Sequence, residues 1–504
     1  MSIRTFRSAS DPWRWLFHDP LMRRSVLALL ACLSLGATAC TTASIGAPGS
    51  GSAVRDLTGA HTRIVWVQGD GTERGLKGDQ LALMAFDSDD GKGERVILGK
   101  GRNYRNPLLT SRGTRIVFSS ILKDGALEVY SVNWDGSGLR KLTDGYALTV
   151  WSEPGNRRDW VYVGSRIPHP SKWDTKSIIR FPLDAPDKRE PVWTKSIVSM
   201  EGFNVSADGR RAGGLFPWPK AGVAELPDGR VTTFGEGCWT SFANARGPLF
   251  WYFDGAHRNV TMVDVESRMR WVVNINNAPG FDGAEVNHPQ WTNHSRVLVL
   301  SGPYNQGGPN QARTGGKQSE IYLGRFSEDF SAVEKWTRVT NNGAGDSQPN
   351  AWIDVSRTTV SPRPAGPVGP PHVRAAFNSG TSGAASDAGR LLVNVQLTRP
   401  GPIPSPQDIL PYRHALVVNE YKVREVLKGR YEERTIHVAQ WAIRDSRVLP
   451  DARKSVNTAF TLTVEPYDAH PELEGERLIS TSNTKAPLYY DVTAPAAATR
   501  TSRR

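Results

Sequence analysis

Two short stretches of this 504-residue chain hold most of the side chains able to do chemistry together. One is Phe250-Trp251-Tyr252-Phe253-Asp254-Gly255-Ala256-His257-Arg258-Asn259. The other is Glu285-Val286-Asn287-His288-Pro289-Gln290-Trp291-Thr292-Asn293-His294, and together they carry three of the ten histidines. Histidine beside Asn, Gln and Glu either binds a divalent metal or hydrogen-bonds a sugar. Trp239, Trp291 and Trp352 offer flat apolar faces to such a sugar, whose C–H faces are apolar and whose hydroxyls need partners. The candidate binding set is therefore Trp239, Asp254, His257, Arg258, His288, Gln290, Trp291 and Trp352. His257 and His288 are the candidates for catalysis, and His288 is the candidate metal ligand. Plainer readings stand beside these. His257 follows an Asp-Gly turn and ties loops together, tryptophans at repeated positions pack a core, and His294 reads as exposed and inert. The chain has no phosphate-cradling Gly-Lys-Ser/Thr loop, no dinucleotide fingerprint, no HExxH and no GxSxG.

These residues need a frame that gathers distant segments, and Arg105 to Thr143 shows what it is. An opening segment, Asn106-Pro107-Leu108-Leu109, leads to the turn Ser111-Arg112-Gly113-Thr114 and the strand Arg115–Ser119. A Lys123-Asp124-Gly125 loop, an alternating strand Leu127–Val132, an Asp135-Gly136-Ser137-Gly138 turn and Leu139–Thr143 follow. Period-2 alternation bounded by Asp-Gly turns marks consecutive antiparallel hairpins. The stretch resembles the repeat of TolB-type β-propellers, with Arg112-Gly113 where that family has Asp-Gly. One such sheet cannot bury both faces, so copies must exist. Degenerate opening segments occur at Asn106-Pro107, Val150-Trp151-Ser152, Gly202–Gly209, Gly237–Ser241, His288–Thr292 and Gln348–Trp352. After the last there is no room for a further sheet, so the strands His61–Val67 and Gln80–Phe86 must complete it. This reads as a six-bladed propeller over residues 58–356, a β-sandwich being the alternative. In propellers, loops at the innermost strands surround one channel mouth. That places the six opening segments together. His288-Pro289-Gln290-Trp291 also resembles the metal-binding blades of oligogalacturonate lyases.

Met22-Arg23-Arg24 followed by the apolar run Ser25–Leu35 reads as a secretion signal, too short to span a membrane comfortably. It ends Ala37-Thr38-Ala39-Cys40, which resembles the bacterial lipobox. The resemblance implies a lipid anchor on Cys40, with residues 1–40 as the signal region, and Thr41 in place of an aspartate points to the outer membrane; since a signal normally starts close to its charges, Met22 is an alternative start. The alternative is an ordinary signal peptide. Residues 41–57 read as a flexible tether. After processing, Cys238 is alone, so no internal disulfide forms; it reads as a small buried apolar residue. The net charge of +12 is partly terminal and forms no basic run, which argues against nucleic acid as a partner. An envelope protein or a cell-surface polysaccharide fits better.

Residues 357–389 are a Pro-, Gly- and Ser-rich linker. Strands resume at Leu391–Leu397, Ala415–Val423, Arg434–Trp441 and Ala459–Val464, predicting a small β-barrel or sandwich over 390–492 and a tail over 493–504. Glu425-Val426-Leu427-Lys428-Gly429 resembles netrin-like OB barrels. His437, Trp441, Arg444 and Asp445 fall together there as a ligand patch or a rim salt bridge. The whole chain thus reads as all-β: an envelope lipoprotein whose propeller binds a glycan or protein without cofactor or catalysis. The alternative is a metal-assisted polysaccharide lyase or hydrolase working through His257 and His288 on an acidic glycan.

Overall fold

The protein is seen here as a computed structural model describing residues 49–167, 173–243, 249–281, 284–304, 316–357, 369–370, 389–410, 412–480 and 487–493. The signal region and Cys40, nearly all of the linker, and most of the tail lie outside the described residues. So do residues 168–172 and 305–315.

Among the described residues, the strand pairings between Thr62 and Ile353 fall into six antiparallel groups of four, one of them with a short fifth strand, Val198–Ser199. The innermost strand of blade 1 is the second half of Arg95–Leu109. Blades 2 to 6 begin with Tyr146–Ser152, Asn204–Val205, Cys238–Phe242, Asn287–Trp291 and Gly345–Ile353. Each innermost strand neighbours the next, and the last returns to the first, giving a β-propeller. Closure is by the N-terminal strands. Thr62–Gly69 pairs with Gly345–Ile353 on one side and Leu81–Asp87 on the other, and the first half of Arg95–Leu109 adds the outer strand.

Side chains on the innermost strands stitch neighbouring blades. Asn350 Oδ1 accepts from Leu109 N (2.9 Å), Asn204 Oδ1 from Phe242 N (3.1 Å), and Asn293 Oδ1 from Ile353 N (2.8 Å). Two tryptophans lie across the turn of the following blade. The Trp352 indole donates to Ser111 O (2.8 Å) and that of Trp151 to Ala207 O (3.3 Å). The turn residues beneath them are Gly113 and Gly209, where a Cβ would stand 2.6 and 2.5 Å from the rings. Contact that close explains the glycine of the repeated turn.

The expected tether ends earlier than the sequence suggests. Gly51–Thr58 is a helix, capped by the Ser50 hydroxyl and ended by Gly59 in the left-handed region. The apolar Val54 and Leu57 among its small and polar residues give it a face to bury, and they join Trp66, Val299 and Leu323 in one cluster.

A second core belongs to the C-terminal region. Leu391–Arg399, Ala415–Lys428, Thr435–Arg444, Leu488–Asp491 and Ala459–Pro466 close on one another in that order as a barrel. Leu488–Asp491 joins it parallel to Thr435–Arg444. It is a four-residue strand, too short for alternation to announce.

Asp346, in the closing strand, is fully buried beside Glu320. Burial pushes its pKa up to about 7, although Gln68 Nε2 and Asn342 Nδ2 donate to its oxygens at 3.0 and 2.9 Å. The fold favours its neutral form. Its contribution to stability is therefore complete below the unfolded value of 3.8 and is lost as pH rises towards 7. Urea unfolding should show wild type weaker at pH 8 than at pH 5, and Asp346→Asn should remove on the order of 2 kcal/mol of that difference. An unchanged difference would contradict this assignment.

Candidate functional site

The residues singled out from the sequence separate into two places. The first is an interface between propeller and barrel. Asp254–Arg258 forms the turn beside Cys238, at the N-terminal end of the innermost strand of blade 4. The barrel sits on this turn. Gly255 N donates to Glu474 O (2.9 Å) and Leu478 N to Gly255 O (3.3 Å), and the Arg258 guanidinium reaches Ser480 O (3.3 Å). Arg477, from the barrel, is buried against Glu285, from the propeller, at 2.6 Å, and also donates to Gly255 O at 3.0 Å. Burial raises the Glu285 pKa, opposed by the charges of Arg477 and Arg258. Cys238 Sγ lies 3.1 Å from the Tyr412 hydroxyl, its pKa pushed up to about 12 chiefly by burial. One apolar cluster runs across the junction, from Trp251 and Phe253 to Ile409, Tyr412, Val417 and Ile479.

Asp254 and His257 serve this interface. Asp254 accepts from Arg258 N (3.1 Å) and from Asn259 N (3.2 Å); burial raises its pKa to about 6. His257 is buried, its Nδ1 3.0 Å from Val286 O and its ring stacked 4.4 Å from that of Tyr304. Burial, then the charge of Arg477, holds it well below the usual histidine pKa. Trp239 makes edge contacts with both His257 and His288, at 6.3 and 5.1 Å. His294, expected to be exposed, is buried, with its Nδ1 accepting from Arg296 N (3.1 Å).

The second place is a cavity of about 560 Å³ along the channel, lined by all six blades. It reaches from the middle of the innermost strands to their C-terminal ends, away from the barrel junction. Its floor is a ring of residues at one repeated position: Asn106, Leu148, Gly202, Trp239, His288 and Gln348. In five blades this position is a β-bulge, where the ladder register slips. Bulges re-aim side chains. Asn106, Trp239, His288 and Gln348 hold φ of 44°, 37°, 47° and 52°, uncommon for non-glycine residues and strained by roughly 1 kcal/mol or more each. In blade 3 the position is Gly202, at φ 89°; a Cβ there would meet Thr240 N at 2.9 Å.

His288 contributes a buried Nδ1 with no hydrogen-bond partner. Burial, aided by Arg105, lowers its pKa to about 3, so the ring is neutral at pH 7. Gln290 lines the wall two residues on. Trp291 and Trp352 also border the cavity, but both are committed to packing: Trp291 lies 4.8 Å from Phe326 and donates to Ser295 O. Sequence reasoning missed Leu148, Glu201 and Gln348 as wall residues. The signal for the ring was the residue before proline in three opening segments, Asn106-Pro107, His288-Pro289 and Gln348-Pro349.

Two other clusters are internally satisfied. His61, Asp87 and Asp89 bring three ligand atoms within 4.8 Å, but Asp87 is already paired with His61 (2.7 Å) and Arg63 (2.9 Å), and Asp89 with Arg55 (3.3 Å). In the barrel, the Arg444 guanidinium stacks 4.2 Å over Trp441, Trp441 donates to the Tyr490 hydroxyl (2.9 Å), and Asp445 pairs with Arg413 (3.2 Å).

The sequence matches no protein-family model and no curated protein. Among solved structures the chain is similar to TolB from Acinetobacter baumannii, at 12% identity and a TM-score of 0.41, over 59% of this chain and 69% of that one. It is also similar to a chain of a nidogen/laminin complex (8%, TM-score 0.37, 57% and 98% covered) and to a luciferin-regenerating enzyme (11%, TM-score 0.35, 54% and 94% covered). At these scores function has to be read from the residues of the site.

The interface gives a direct expectation. Arg477→Ala removes the ion-pair partner of the buried Glu285 carboxylate, leaving only the charge of Arg258 nearby, and should destabilise the chain by about 3–5 kcal/mol in urea unfolding. A loss below about 1 kcal/mol, the value of an exposed pair, would place Arg477 outside the junction.

Proposed function

We propose that this chain is a cell-envelope lipoprotein whose propeller is a non-catalytic binding module, taking a glycan or a segment of a protein partner into its channel. One observation carries the reading: a cavity in the usual size range of ligand sites, ~300–1,000 Å³, walled by all six blades and floored by a ring of strained, inward-aimed residues. Strain repeated at equivalent positions is held where the surrounding structure over-determines it, and such positions cluster at ligand sites. The catalytic alternative needed His257 and His288 in one site, whereas His288 borders the cavity and His257 is buried against Val286 and Tyr304. The barrel, fixed to the propeller by a shared core, holds the opposite side of blades 3 to 5 and leaves the cavity free. The anchoring part of the reading rests on Ala37-Thr38-Ala39-Cys40 alone.

Two experiments test it. A ligand at 100 times its Kd adds about 2.7 kcal/mol to stability, so a thermal-shift panel of divalent metals, neutral and acidic oligosaccharides and short peptides should find one. Gln290→Trp, which fills the cavity, should abolish that shift; a shift that survives the substitution would place the site elsewhere. In bacteria fed labelled palmitate, the chain should carry label and sediment with membranes, and Cys40→Ala should do neither. Label retained by Cys40→Ala would remove the anchor from the proposal.

A further inference from the structure

The ring at the cavity floor is divided. Taken in order around the channel, its residues are His288, Gln348, Asn106, Leu148, Gly202 and Trp239. The polar three are consecutive, and so are the other three. One arc offers hydrogen bonds. The facing arc offers an indole, a leucine side chain and a gap where Gly202 has none. A ligand filling this ring needs one apolar face and one polar edge.

We infer that the ring receives a terminal, uncharged pyranose of a glycan, with its C–H face against Trp239 and its hydroxyls towards His288 and Gln348. This deepens the binding role proposed for the cavity and rests on it. A pyranose has the required division, since its ring carbons present an apolar face while its hydroxyls lie around the rim. The polar arc has the matching capacity. His288 Nδ1 is buried with no partner. That atom is closed off from the cavity, so a ligand hydroxyl meets the ring at its other edge, which borders the cavity. Gln348 Oε1 already accepts from Asn106 N (2.7 Å), leaving its NH₂ to donate. The Asn106 side-chain amide is spent on Ala147 O (2.8 Å), so it orients Gln348 more than it contacts ligand.

Charge decides between neutral and ionic ligands. At the ring His288 carries no charge at neutral pH, because burial and Arg105 hold its pKa near 3. Arg105 supplies the nearby positive charge, but its Nε donates to Asn103 Oδ1 (2.8 Å) and an Nη to Leu76 O (2.5 Å). Glu201, in the same wall, is the acidic group nearest in effect to Arg105, although burial raises its pKa. An extended peptide would bring backbone N–H groups to the arc of Leu148, Gly202 and Trp239, which has no side-chain acceptor for them.

The test is isothermal titration of the full chain with neutral trisaccharides of glucose, galactose, mannose and N-acetylglucosamine, an oligoglucuronate, and trialanine. At least one neutral trisaccharide should bind, with affinity flat from pH 5 to pH 8. Trp239→Ala should weaken it at least tenfold. Gln290→Ala, which removes no internal hydrogen bond among the described residues, should weaken it several-fold with an unchanged melting curve, so a misfolded Trp239→Ala would not end the test. Trp441→Phe in the barrel should bind as wild type. Tighter binding of oligoglucuronate than of every neutral sugar overturns the inference. So does Trp239-dependent binding of trialanine alone, although the cavity would then remain a binding site. If no probe binds, the sugar assignment falls, and the palmitate and cavity-filling experiments judge the broader proposal separately.

Discussion

Six strands converge on one axis in this protein, and each must turn a side chain towards that axis without losing its ladder. A regular strand alternates its side chains between two faces, so the channel would otherwise receive only what the alternation delivers. The bulge breaks that constraint locally. It advances the register by one residue, holds the bulged residue at positive φ in four blades, and points it inward. Asn204, Asn293 and Asn350, beyond the ring positions, then tie three of the blades to their neighbours. Much of the remaining structure follows: the cavity, its floor, and the need for glycine in blade 3, where Thr240 leaves no room for a side chain.

The same convergence gives the two ends of the channel different fates. The N-terminal ends of the innermost strands in blades 4 and 5 run into turns that are bound by the barrel. Their polar residues are used up in capping and in the Glu285–Arg477 pair. At the C-terminal ends the wall stays open. The residues richest in apparent chemistry, Asp254, His257 and Arg258, are therefore structural here, while less conspicuous ones, Gln348 and Gly202, help shape the cavity.

That division shows what was legible in the sequence. The hairpin alternation of Arg105 to Thr143 and its Asp-Gly turns announced the propeller, because each signal is local. The N-terminal closing strands were legible from simple counting, since Trp352 had no blade of its own. Trp239, His288 and Gln290 line the cavity. His257 does not, because its fate depends on Arg477 and Glu474, more than two hundred residues away and without a shared pattern. His294 was misjudged for a similar reason: a turn that should face solvent is covered by the Arg296 and Phe326 packing around it. The helix at Gly51–Thr58 was hidden by its small, polar composition; Val54 and Leu57 supply its apolar contacts, and Arg325 donates to Leu57 O.

The central claim is that ligand is read at the bulged ring, with Trp239 as its apolar wall. The most direct measurement is fluorine NMR of the chain labelled with 5-fluorotryptophan, with the Trp239 and Trp218 signals assigned by their phenylalanine variants. Adding the ligand that stabilises the protein should move the Trp239 resonance while that of Trp218, at the barrel junction, stays in place. Movement at Trp218 with Trp239 unchanged would put the ligand at the interface and contradict the account.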